Sequence, residues 1–192
     1  MKVVFIDTEF TGIHMGTTVV SLGMVTLEGK SLYLTLNDYD REQVTDWLKN
    51  NVINLIDESK SVTRKEAFVR IKEFLDNYSQ GKRVSLISAG KLIDIVLLYE
   101  FWHNEHPGRK YFSMDCLPDY LNHASHFDLS TFFYMAGVDP NLEREKFLGK
   151  VKLSGRRHNS LYDVKIVREC FLKLIEKGEI PRPENITTNN IV

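Results

Sequence analysis

The chain opens with an apolar run, Lys2-Val-Val-Phe-Ile, that drives straight into Asp7-Thr8-Glu9. Residues two apart in an extended segment point to the same side. Asp7 and Glu9 therefore present paired oxygens beside the C-terminal end of a buried strand, a placement that makes little sense for packing. Adjacent carboxylates repel and are costly to desolvate. A divalent ion with a preference for oxygen, Mg2+ or Mn2+, compensates both terms. The rival reading is a turn carrying two solvated acids.

The pattern beyond that strand sets the fold class. Thr17 to Leu27 reads as a longer strand, and Glu28-Gly29-Lys30 turns it back into Ser31 to Leu36 as a hairpin partner. Asp40 to Ile56 reads as helical. Thr63-Arg-Lys-Glu66 is a capping box opening a helix with Phe68, Ile71, Phe74, Leu75 and Tyr78 on one face, closed at Gly81. Arg83 to Ala89 is a short apolar strand followed by a helix from Lys91 to Asn104. A weak strand at Lys110 to Met114 precedes helical pieces near Cys116 to His123 and Asp128 to Gly137. A final helix runs from Ser160 to Lys177 and stops at Gly178. An antiparallel start followed by strand and helix alternation predicts an α/β fold, a mixed sheet covered by helices. Ligands of such sheets gather at strand C-terminal ends, where Asp7 and Glu9 lie.

A chain of 192 residues, 43% hydrophobic, supports one core. The expected division is a single domain over 1–178 and a C-terminal tail over 179–192. The formal net charge of −1 gives no global attraction to nucleic acid or membrane, so any polyanion contact needs a local basic cluster. Cys116 and Cys170 lack metal-type spacing and fit small buried apolar roles in a reducing cytoplasm. No stretch approaches the roughly 20 apolar residues of a membrane span, and no signal-peptide pattern opens the chain. The expected location is cytoplasmic.

Two further segments are out of place. Asp94 sits in Leu92-Ile-Asp-Ile-Val-Leu-Leu98, a helical stretch apolar nearly all round, where a charge is expensive unless paired or metal-bound. It is otherwise a partly exposed acid or one neutralised by an arginine. Ser154-Gly-Arg-Arg-His158-Asn-Ser-Leu-Tyr-Asp163 is the second: Gly155 and the charges mark a mobile loop, and Ser160 to Asp163 can form a capping box. One loop-to-helix corner then supplies both an acid and a titratable imidazole. His158 alone reads as a surface histidine, as do His103, His106, His123 and His126. Lys146, Lys150, Lys152, Arg156 and Arg157 crowd the approach, either as a solvated face or as a grip on a phosphodiester backbone.

Taken in order and spacing, Asp7-Thr8-Glu9, Asp94 and His158-Asn-Ser-Leu-Tyr-Asp163 resemble the motifs of the DEDDh 3′-to-5′ exonucleases, from Met1 to about Lys177. Asp7-Thr-Glu-Phe10, Ser21-Leu-Gly-Met-Val25 and Trp47-Leu-Lys-Asn-Asn-Val52 look most like the small mycobacterial-type exoribonucleases, a branch associated with polyadenylate ends. The pattern departs at Ile93, where an aromatic residue is common, and at Ser160, where alanine is common. The resemblance implies a ribonuclease H-like fold, a mixed five-stranded sheet with three antiparallel strands first and parallel strands after.

It also implies hydrolysis of the terminal phosphodiester of RNA with a single-stranded 3′ end, releasing nucleoside monophosphates. Asp7, Glu9, Asp94 and Asp163 would hold two Mg2+ ions, which Mn2+ could replace, with Asp7 shared between them. His158 would act as general base. Phe10 could stack on the terminal base, the backbone of Thr11 could contact its sugar, and Arg156 and Arg157 could hold phosphates. Phe10 could equally be a core residue, and Trp47 and Trp102 read as core. Many relatives are dimers, so a homodimer is expected. The alternatives are a DNA-trimming or proofreading exonuclease and a non-catalytic nucleic-acid-binding module on the same fold.

Overall fold

The computed structural model describes residues 2–90, 92–122, 126–150 and 153–185. The expected helix start at Lys91, the surface role of His123, the charge of Lys152 and the tail beyond Asn185 lie outside the described residues.

Alternation organises the first strand. In β1 (Lys2–Phe10), Val4 and Ile6 enter one apolar core while Val3 and Phe5 enter another on the opposite face. β1 pairs antiparallel with β2 (Val19–Thr26), which pairs antiparallel with β3 (Ser31–Thr35). On its other side β1 pairs parallel with β4 (Val84–Ser88), and β4 pairs parallel with the short β5 (Phe127–Asp128). The result is a five-stranded mixed sheet in the order β3-β2-β1-β4-β5.

Helices cover both faces. α1 (Asp46–Asn51) is short; α2 (Arg64–Ser79) and α3 (Ile93–Asn104) cover the Val4 and Ile6 face through Ile71, Leu75, Leu98 and Phe101. The opposite face receives α4 (Leu129–Met135), α5 (Arg144–Leu148) and α6 (Ser160–Glu176), through Phe133, Phe147, Val164, Val167 and Phe171.

The expected capping box is present: Thr63 Oγ1 accepts the Glu66 amide, and Glu66 accepts the Thr63 amide at 2.8 Å. Several expectations need correction. Asp40 to Ile56 is not one helix but two 3-10 turns around α1, because Thr45 caps a fresh start and Val52 leaves helical geometry. Lys110 to Met114 forms no strand, and the fifth strand is Phe127–Asp128, a pair too short to show any period. The stretch near Cys116 has a 3-10 turn at Met114–Cys116 rather than a longer helix among the described residues. Both cysteines are buried and free, as expected. Ile180 packs into the second core.

One asymmetry positions the site. β4 accompanies β1 only as far as Phe5, whereas β1 continues to Phe10. The last half of β1 therefore has a free flank on the β4 side, and Asp7, Thr8 and Glu9 lie along it.

Candidate active site

The same alternation that buries Val3 and Phe5 carries Asp7 and Glu9 to the α6 face of β1. α6 approaches there because β2 offers Gly23 opposite Asp7: a β-carbon at Gly23 would collide with the Ser160 carbonyl. That contact seats the first turn of α6, and with it Asp163, beside the acidic strand end.

The corner before α6 is held by a set of polar bonds. Asn159, not Ser160, caps the helix, its Oδ1 accepting the Tyr162 amide at 3.0 Å. The capping box expected at Ser160 to Asp163 does not form: Asn159 supplies the cap, and the Asp163 carboxylate turns to the His158 amide. Ser160 is fully buried, and its hydroxyl meets that of Ser21 at 3.0 Å. A serine is tolerated there because its hydroxyl is paired. Asp163 Oδ2 accepts the His158 amide at 2.8 Å, and Asn159 Nδ2 donates to Tyr33 at 3.2 Å. The loop reaches this corner through Gly155, where φ is +141° and a β-carbon would overlap the Tyr162 ring.

These elements bring three of the expected residues to one point. A carboxylate oxygen of Glu9, one of Asp163 and a ring nitrogen of His158 lie within 4.8 Å of one another. Asp7 lines the same cleft of about 630 Å³, with Arg157 and Asp128 on its walls. Asp94 arrives from the other face, on the first turn of α3, and is only 4% exposed. Its Oδ1 accepts the Thr8 amide at 2.9 Å and the Thr8 hydroxyl at 2.6 Å, occupying the flank that β4 leaves open. Neither a solvated position nor an arginine partner accounts for it. A second cleft of about 260 Å³ contains Asp7 and Asp94 with Phe10, Ile13 and Ile93. Asp7 borders both clefts.

Electrostatics follow from this crowding. Burial first, then the charges of Asp94, Asp163 and Glu9, hold the Asp7 carboxyl well above the usual carboxylate range. Burial and the charges of Asp163 and Asp94 push Glu9 up to about 8. Asp163 is pushed up to about 6 by burial, against the His158 amide and Arg157. Asp94 also rises to about 6 through burial, opposed by its two bonds from Thr8. His158 moves down, through burial and then the positive charges of Arg157 and Arg156.

The donor set fits a hard divalent cation. Carboxylate oxygens at this spacing can be spanned by an ion reached at roughly 2.0 to 2.6 Å by each oxygen, with the imidazole beside it, and added positive charge relieves the repulsion that raises every carboxyl.

The remaining expected residues divide. Phe10 packs against the first core and also lines the smaller cleft. Thr11 is buried; its amide donates to the Thr18 carbonyl at 3.0 Å and its hydroxyl to Gln43 at 2.5 Å. Arg157 borders the large cleft and lies 3.9 Å from Glu143, whereas Arg156 is exposed outside it. Lys146 pairs with Glu143 at 3.1 Å.

Three contributors escaped the sequence reading. Thr8 lies between the two acids but works from the opposite face. Asp128 caps α4 through the Ser130 amide at 2.6 Å and accepts the Gly90 amide at 2.8 Å, tying the β4–α3 turn to the cleft wall. Its signal was Asp-Leu-Ser-Thr, a helix-start pattern. Trp47, read as core, is 54% exposed and packs edge-on against His158; Trp102 is indeed buried.

No protein family's sequence profile matches the chain, and no curated protein matches it. Among solved structures it is similar to a full-length 3′-exonuclease, at 13% identity and a TM-score of 0.64, over 92% of this chain and 82% of that one. It is also similar to S. pombe Pop2p in a form with Mg2+ and Mn2+ bound, at 14% identity and a TM-score of 0.63, over 91% and 83% of the two chains. The likeness is one of fold: the mixed five-stranded, helix-flanked sheet is the architecture the chain shares with these structures.

Proposed function

We propose that the protein is a metal-dependent 3′-to-5′ exoribonuclease that removes nucleoside monophosphates from single-stranded 3′ ends of RNA. The observation that carries this reading is the convergence of Asp7, Glu9, Asp163 and His158 on one cleft, with Asp94 reaching Asp7 from the opposite layer. Its support from outside the chain is the fold shared with a 3′-exonuclease and with a Mg2+- and Mn2+-bound protein.

Asp7, Glu9 and Asp163 would hold one divalent ion, and Asp7 with Asp94 a second, Mg2+ or Mn2+ in each case. When bound, these ions neutralise phosphate charge and act as Lewis acids toward phosphoryl transfer to water. The chain supplies the rest. His158 accepts the proton of the attacking water; its lowered pKa keeps the ring neutral, the form able to accept, at neutral pH. Asp163 steadies that histidine through its backbone amide. Arg157, at the rim of the large cleft, meets the phosphodiester backbone. Phe10 and Ile13 present an apolar wall beside Asp7 for the terminal base, and stacking suits unpaired strands because every base has a flat face.

The test is to incubate purified protein and Mg2+ with matched RNA and DNA oligonucleotides carrying single-stranded 3′ tails of each base, then identify the products. Stepwise release of mononucleotides from RNA is expected. Faster trimming of DNA would move the substrate to DNA, and internal fragments or no release would reject an exonuclease.

A further inference from the structure

We propose that Trp47 is a positioning residue for His158, fixing the imidazole at the angle from which it serves the carboxylate cluster. This deepens the exonuclease reading and rests on it for the catalytic consequence, though not for the contact itself.

The backbone around His158 is tied down thoroughly. Its amide is held by Asp163, the next residue is bonded to Tyr33 and to the Tyr162 amide, and Ser160 is paired with Ser21. His158 itself adopts a left-handed backbone at φ +64°, a conformation costly for a residue with a β-carbon and retained only where surroundings enforce it. All of that fixes where the ring begins and not where it points. Among the described residues, no hydrogen bond reaches either ring nitrogen. A histidine acting as base is ordinarily oriented by a group on its second nitrogen, and here no such group is present among the described residues.

The contact that orients the ring is aromatic. The indole of Trp47 and the imidazole lie 4.9 Å apart, centroid to centroid, at 81°, the edge-to-face geometry such rings favour. Trp47 can act as a fixed surface because its helix is anchored on either side of it. Thr45 caps α1 through the Leu48 amide at 3.2 Å, while Leu48 and Val52 are buried against Val20 and Tyr39. An indole with 54% of its surface in water contributes little to the core; its orientation is explained by the ring it touches.

The experiment compares wild type, Trp47→Leu and Trp47→Phe. In the ion-free protein, the χ1 rotamer of His158, read from three-bond couplings to its Cγ with the resonances assigned by their loss in His158→Gln, should be single in wild type, averaged in Trp47→Leu and restored in Trp47→Phe. With Mg2+ and RNA, Trp47→Leu should lower kcat about ten- to a hundredfold, as displacement of a reacting group by an ångström does, with KM changed little. Trp47→Phe should recover most of that loss. An unchanged His158 χ1 rotamer in Trp47→Leu would overturn the proposal, and so would a raised KM at unchanged kcat, which would make Trp47 a substrate contact. If wild type releases no nucleotide, the exonuclease reading falls, and the χ1 couplings alone decide whether Trp47 orients the ring.

Discussion

Asp94 has no ion-pair partner among the described residues, and its charge is stabilised by the Thr8 hydroxyl, the Thr8 amide and its own backbone amide. Thr8→Val keeps the shape and removes the hydroxyl bond, the shorter of the two from Thr8. Loss of a hydrogen bond to a charged group costs about 1.5 to 3 kcal/mol. With Asp94 less readily ionised, the Mg2+ concentration giving half-maximal activity should rise at pH 7 while the secondary structure stays intact; an unchanged requirement would separate Thr8 from the site. Asp7→Asn should remove Mg2+-dependent activity, because this side chain borders both clefts. His158→Ala should slow turnover about a hundred- to ten-thousandfold, the range for loss of a general base, with no change in Tm. Full activity in that variant at neutral pH would take His158 out of the mechanism.

At the scale of elements, the site depends on two glycines where chain segments nearly touch. Gly23→Ala would push α6 off β2, displacing Asp163 from Glu9. Overpacking of this kind typically costs about 1 to 3 kcal/mol, so a lowered Tm accompanied by lost metal-dependent activity is expected. Gly155→Ala meets the Tyr162 ring and a positive φ together, and should impair activity more than stability, since only the loop carrying His158 must move. Activity in Gly155→Ala equal to wild type would show that the loop path is not needed.

The same scale explains what the sequence disclosed. The capping box at Thr63, the Ser160–Glu176 helix and the acid-terminated first strand were legible because each carries a local signal: a cap, a long apolar stripe, or a charge where none belongs. The fifth strand was not, since Phe127–Asp128 is defined by its pairing with Ile87–Ser88 rather than by any period of its own. Tyr111 and Phe112 gave β-like composition to a segment that lies on the surface, where Phe112 stacks on Tyr99. Trp47 was misread because composition places an indole in the core, while its exposure is set by a neighbour 111 positions away in the chain, His158.

For the molecule as a whole, a formal charge of −1 conceals a concentrated negative site. Glu9, raised from an ordinary 4.5 to about 8, binds a proton in the folded chain that the unfolded chain releases. Its contribution to stability is therefore complete below about pH 4.5 and is lost as pH climbs through about 8. Asp163 and Asp94, each raised to about 6, act in the same direction over a lower window. Mg2+ should reverse this loss, so the gain in Tm on adding Mg2+ should be larger at pH 8 than at pH 5.5 in thermal melts. An equal gain at both values, or none, would deny that these carboxyls share a cation.

The most direct measurement is calorimetric titration of Mn2+ into the ion-free protein at pH 7, in two buffers of different ionisation enthalpy, with Asp7→Asn alongside. Saturable binding with release of protons to the buffer, abolished in Asp7→Asn, is the predicted result. No saturable heat, or Asp7→Asn binding Mn2+ as wild type does, would contradict the assembly of Asp7, Glu9, Asp94 and Asp163 as a divalent-cation site.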